Sequence, residues 1–300
     1  MLSNLEKITF VFMVIGSLGA SYITFKKMFK VILAGTNPIV WTDVIKNWNA
    51  GLIAFISQKT LFKTRPVVGF IHALVAWGFT FYLVVNIIDV LYGFIPNFKF
   101  LPKNVFGDVY RLFVDTFSIL VLLGVFYFLA RRFIIHEDRL TIKDPVLLSD
   151  RAKAGMKFDS FIVGAFIIVH IGSRFLSASF EIAIHGTDWS QPAANIVATL
   201  WSTLSPDTLT IAEHVTWWLA LGLILLFLPY FPYSKHAHLF MGPLNIMALE
   251  KRRSMAAIET IDFEDEELDQ FGAAQIQQLP QTQLLDGYAC IQCSRCQDAC

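Results

Sequence analysis

No cysteine occurs before Cys290, although the chain is 300 residues long. A disulfide framework is thereby excluded for all but its end, and clustered thiols in a segment without secretory context favour metal binding in a reducing compartment. Net charge is also missing: Lys and Arg number 24, Asp and Glu 24, so no overall basic or acidic surface offers itself to nucleic acid. The opening MLSNLEK lacks the basic n-region of a secretory signal, and the apolar run after it lacks a small-residue cleavage site, so that run reads as a retained helix. No internal repeat is visible. What the chain has in excess is apolar bulk, 55% hydrophobic residues with 28 phenylalanines, which exceeds an ordinary soluble domain and indicates a membrane protein.

A helix needs about 20 apolar residues to cross hydrocarbon, where its backbone groups must find their partners internally. Five segments are suited to this: Ile8 to Phe25, Pro66 to Ile88, Leu112 to Ala130, Phe158 to about Ile184, and His214 to Ser234. The third is interrupted by Asp115, the fourth contains Asp159, Arg174 and Glu181, and the fifth is broken near its end by Pro229 and Pro232. Basic residues concentrate after the first span (Lys26, Lys27, Lys30), before the second, between the third and fourth, and after the fifth. The segment from Glu181 to Glu213 has no Lys or Arg. The positive-inside rule then puts the N-terminus outside and the C-terminal tail in the cytoplasm, a multi-pass arrangement in the inner membrane. Residues 44–66, VIKNWNAGLIAFISQKTLFKTRP, mix apolar positions at helical spacing with Lys and Trp, which suits a helix at the inner interface or an extension of a tilted span.

The tail reads C-x2-C-x2-C-x3-C: Cys290, Cys293, Cys296 and Cys300. Zinc ribbons separate two C-x2-C pairs by a longer stretch. Three thiolates two residues apart instead wrap one corner of an iron–sulfur cubane, and in two-cluster ferredoxins the fourth cysteine of such a run ligates the other cluster. A second run would be needed downstream, so the sequence is expected to be part of a longer polypeptide with two [4Fe-4S] clusters; a self-contained zinc or iron site using all four thiols is the alternative.

Imidazoles within hydrocarbon are costly without a partner or cofactor and mark candidate sites. His72 lies near the inner end of the second span, His170 midway along the fourth, and His214 at the outer start of the fifth; His236 and His238 come after that span. A b-type haem takes one axial ligand from each of two facing helices. His72 and His238 share the inner level and form a natural pair, while His170 and His214 remain for a second haem and would require tilt or a kink. Arg174 is one turn beyond His170 and is a candidate for a haem propionate or quinone oxygen, or simply an ion pair with Glu181. Lys235 and His236 are further candidates for a quinone pocket. His136 and His185 read as solvated loop residues.

The segments GFIHALVAWGF and LPYFPYSKHAHLFMGPLN resemble the five-helix cytochrome b of the respiratory nitrate reductase gamma subunit. DGYACIQCSRCQDAC resembles the ferredoxin segment of heterodisulfide-reductase-like iron–sulfur proteins. Chains that join the two look like membrane iron–sulfur oxidoreductases passing electrons between electron-transfer flavoprotein and menaquinone. The resemblance places inner haem ligands on His72 and His238, and puts Tyr82 and Ala220 where the family has its outer pair, so that a second haem is held differently or is missing. The expected architecture is all-α: a five-helix transmembrane haem b domain at 1–243, a cytoplasmic linker at 244–286 that includes the acidic run Glu264 to Glu267, and the start of a ferredoxin-type domain at 287–300. The expected function is quinone-linked electron transfer, with one or two b haems and menaquinone as substrate. The alternatives are a heterodisulfide or other thiol-based soluble partner, and a non-redox transporter or scaffold with a structural zinc tail.

Overall fold

The computed structural model describes residues 2–98, 100–101, 103–142, 148–248, 263–264, 270 and 272–296. They are helical throughout their ordered elements, apart from one isolated parallel bridge between Thr36 and Pro280. Among them are α1 (Asn4–Leu33), three short helices α2 (Trp41–Lys46), α3 (Trp48–Ser57) and α4 (Lys59–Thr64), and the long α5 (Pro66–Phe94), α6 (Val105–Phe133) and α7 (Asp150–His185). After these come α8 (Pro192–Ala198), α9 (Pro206–Trp217), a π-helical turn at Trp218–Gly222, α10 (Leu223–Phe227), α11 (His238–Ala248) and α12 (Gln281–Ala289).

Five stretches are long and apolar enough to cross a membrane: α1, α5, α6, α7 and the segment Pro206–Phe227. The last departs from the expected His214 to Ser234. Ser205 caps it, its hydroxyl accepting from the Thr208 N–H at 3.2 Å, and Pro206 takes the first helical position, where a missing N–H costs nothing. The helix therefore begins two turns before His214, and the prolines at 229 and 232 end it at Phe227.

The helices belong to two compact units. The first comprises Met1–Ser21, Leu61–Tyr230 and Ser294–Cys300. In it α5 and α6 approach closely at two glycines: a Cβ on Gly78 would strike the Val121 side chain, and one on Gly124 the Val75 side chain. Such small residues let helices pack where lipid supplies no hydrophobic drive. Asp115, the charge inside the third span, lies buried and caps α8, accepting from the N–H groups of Ala193 (2.8 Å) and Ala194 (3.0 Å). That satisfies two of the donors a helix N-terminus leaves unpaired. Ala194 and Ala198 then pack with Phe175, Ala178 and Ile182 of α7.

The second unit comprises Tyr22–Thr60 and Phe231–Cys293. The expected interfacial helix at 44–66 is broken into α2, α3 and α4, with Gln58 at positive φ between the last two. At α3, Gly51 leaves room for Met247 and the Pro243 carbonyl of α11. The linker expected at 244–286 is not uniformly linker: α11 runs across residue 243, and α12 is anchored to the loop after α1. The Thr36 N–H donates to Leu279 O (2.9 Å) and the Gln281 N–H to Thr36 O (2.8 Å). The Gln281 side chain accepts from the Ile39 N–H and donates to Leu33 O, and Leu285 of α12 is fully buried. Residues 249–262 and 265–269 of that linker, with most of its acidic run, lie outside the described residues.

Candidate functional site

The first unit holds a cavity of about 800 Å³ into which α5, α6, α7 and α9 all project charge. At its base Arg174 forms a two-pronged pair with Asp89, Nε to Oδ2 at 3.0 Å and Nη2 to Oδ1 at 3.3 Å. Asp89 thus takes the place that the sequence offers to Glu181 as the partner of Arg174. Glu181 lines the same cavity with Glu213, His185 and His214. Sequence reasoning misses Asp89 by ending the second span just before it; the signal is the apolar VLYGF that resumes after it and carries α5 to Phe94. At the rim, Asp188 meets Arg111 Nε at 2.9 Å and accepts from the Ser190 N–H at 3.0 Å. Burial pushes the Asp188 carboxyl up, but these partners outweigh it and hold it below the usual range.

His170 sits deeper, 2% exposed, and lines neither this cavity nor the shallow groove on the other side of His214. Its ring stacks on Phe166 and meets Tyr82 edge-on. The π-helical turn explains its partner: i→i+5 bonding changes which carbonyls the helix itself uses, and Nδ1 lies 2.8 Å from the carbonyl oxygen of Ala220 within that turn. An Nδ1–H donating there leaves Nε2 as the acceptor, 3.4 Å from Asn86 Nδ2. The Tyr82 hydroxyl continues the cluster to Ser118 Oγ at 2.5 Å. The two positions where the resemblance expects outer haem ligands, Tyr82 and Ala220, are therefore both packed against His170. His214 turns elsewhere, its Nδ1 2.9 Å from Glu6 Oε1 of α1. His170 and His214 thus face different elements, and the structure does not bring them onto one site.

The expected inner ligands lie in different units, His72 in the first and His238 in the second. His72, half-buried on α5, meets the edge of Phe128 of α6 at 6.3 Å between centroids. His238 opens α11, and its Nδ1–H donates to Lys235 O, the kind of bond that orients a histidine. Burial holds His238 below the ordinary imidazole range and pushes His236 down to about 3, with His238 and Lys235 adding to the effect on His236. Both rings are thereby kept neutral, the form in which imidazole binds a metal.

Of the thiols, Cys290 and Cys296 are exposed and Cys293 partly so, while Cys300 lies outside the described residues. Gln292 and Ser294 adopt positive φ (55° and 60°), a region L-residues enter at a cost. The turn aims the Gln292 N–H at Cys290 Sγ, 3.4 Å away. Backbone donors directed at sulfur are what an iron–sulfur cluster needs to tune its charge, so the donor set fits the group. Among the described residues no three His, Cys, Asp or Glu side chains converge as a metal site.

Two curated proteins are similar to this chain. Over 243 residues, 81% of the chain, it is 32% identical to the "Probable iron-sulfur-binding oxidoreductase FadF" of Bacillus subtilis. Over 285 residues, 92% of the chain, it is 25% identical to the "EtfAB:quinone oxidoreductase" of Syntrophomonas wolfei. These matches cover 32% and 38% of the two relatives, so the chain spans about a third of their length. No known family profile and no solved structure matches it.

Proposed function

We propose that this chain is the membrane part of an iron–sulfur oxidoreductase that exchanges electrons between electron-transfer flavoprotein and menaquinone. The observation that carries the reading is the C-x2-C-x2-C-x3-C run placed after five helices of membrane-spanning length, with a backbone N–H already turned toward its first sulfur. The names of both relatives agree with it, one as iron–sulfur-binding and the other as acting on EtfAB and quinone. Cys290, Cys293, Cys296 and Cys300 supply thiolates to [4Fe-4S] clusters. The resemblance to the cytochrome b family offers His72 and His238 as the ligands of a b haem, and His238 is oriented by its bond to Lys235 O. Iron centres of these kinds supply one-electron transfer, and the protein supplies spacing and potential. A second haem on His170 and His214 is not part of this reading, since His214 lines the charged cavity and His170 does not, and His170 instead braces α7 against the π-turn.

The test is a reduced-minus-oxidised visible spectrum of membranes carrying the full-length polypeptide. A b-type α-band that disappears in His72→Ala and in His238→Ala, with iron and acid-labile sulfide retained, is the expected result. A colourless protein with stoichiometric zinc overturns the whole reading. A band that persists in both variants overturns the ligand assignment.

A further inference from the structure

Two cavities of the first unit share a wall, and the shared residue is His214. On one side is the charged cavity that contains Asp89, Arg174, Glu181 and Glu213. On the other is a shallow groove of about 500 Å³ lined by Glu6, His214, Trp218 and an apolar stripe. The stripe is Ile211, Val215 and Leu219, spaced i, i+4, i+8, and these residues are 65%, 51% and 44% exposed. On a helix of membrane-spanning length such a face meets acyl chains, so a ligand reaching the groove arrives through the lipid.

The polar floor of the groove is tightly organised. Glu6 Oε1 accepts from His214 Nδ1 (2.9 Å) and from Trp218 Nε1 (3.1 Å), while Oε2 accepts from the Ser3 N–H (2.8 Å). Three bonds fix the carboxylate, the carboxylate fixes the imidazole, and Nε2 remains as the nitrogen that exchanges protons. An apolar entrance with one oriented acid–base group suits an amphiphile whose head exchanges protons and whose tail is hydrocarbon.

We infer that this groove seats the head group of a membrane quinone and that His214, oriented by Glu6, carries protons between that head group and the charged cavity behind it. The inference rests on the quinone-linked function proposed above. A quinone gains two electrons and two protons to become the quinol and releases the same on oxidation; the electrons pass to or from the chain's iron centres. Each proton crosses at His214 Nε2 to or from a quinone oxygen, and the cavity restores the ring without a path through lipid.

The experiment uses full-length polypeptide in lipid nanodiscs with a photoreactive azidoquinone, and then peptide mapping. Label within 206–222 that excess short-chain menaquinone displaces is expected. His214→Ala is expected to lower quinone turnover by about a hundredfold, the scale of a lost general acid–base group, while reduction of the iron centres by the soluble donor persists and shows that the protein is folded. Glu6→Ala is expected to lower turnover as well, and Glu6→Gln, which keeps an acceptor oxygen, to recover part of it. Displaceable label on another helix, or label in the groove displaced by phospholipid alone, overturns the site and leaves the quinone reading intact. No displaceable label anywhere, with no quinone turnover, overturns both.

Discussion

A guanidinium inside an apolar helix is costly unless a carboxylate meets it. Arg174 and Asp89 meet with two contacts in a geometry that only Arg provides. Removing one partner leaves the other as an uncompensated charge, which costs about 3–5 kcal/mol at a buried pair and less where a cavity admits water. Asp89→Asn and Arg174→Gln are each expected to lower the unfolding temperature in detergent, and the double variant to lie above either single one. Thermal unfolding of the four proteins checks this, and additive losses would show that the two side chains act independently. Type and depth mark out Arg174 in the sequence; its partner is not legible there, because ion pairing across helices joins residues 85 apart in the chain.

At the scale of elements, the five long helices are legible because hydrocarbon imposes one length and one composition on anything that crosses it. Their ends are less so. Apolar content starts the fifth at His214, although the Ser205–Pro206 pair is a helix start by its own chemistry. The π-turn at Trp218–Gly222 leaves no mark in hydrophobic periodicity, and with it the bond that holds His170 is invisible. Asp115 shows in the sequence only as an interruption, whereas it joins α6 to the start of α8. Asp115→Ala would strand two buried or half-buried N–H groups, with an expected loss of about 1–3 kcal/mol. Asp115→Asn, which keeps one acceptor oxygen, should lose less. Denaturant unfolding of the three proteins measures it, and an unchanged Asp115→Ala would mean that α8 is held by the packing of Ala194 and Ala198 alone.

For the molecule as a whole, the sequence discloses the kinds of group present more readily than their neighbours. Spacing alone marks Cys290, Cys293, Cys296 and Cys300 as candidate ligands. Nothing in the sequence indicates that the segment leading to them docks through Gln281 onto the turn after α1, because that docking uses main-chain groups near Thr36 that any residue offers. The packing of α12 is thus separate from the thiols that follow it. Buried apolar packing holds α12, while the thiols are exposed or partly exposed and contribute little to that packing. In the full-length polypeptide, Cys293→Ser is therefore expected to reduce iron and acid-labile sulfide and to weaken the cluster's electron paramagnetic resonance signal. The helical circular dichroism and its melting temperature should stay as in the parent. Gln281→Ala should act in the opposite order: the loss of its bonds to Ile39 and Leu33 loosens α12 first, so protection of the 281–289 amides from hydrogen exchange falls before any iron is lost. Equal loss of iron and of amide protection in both variants would show that the cluster itself folds this segment, as a structural metal does.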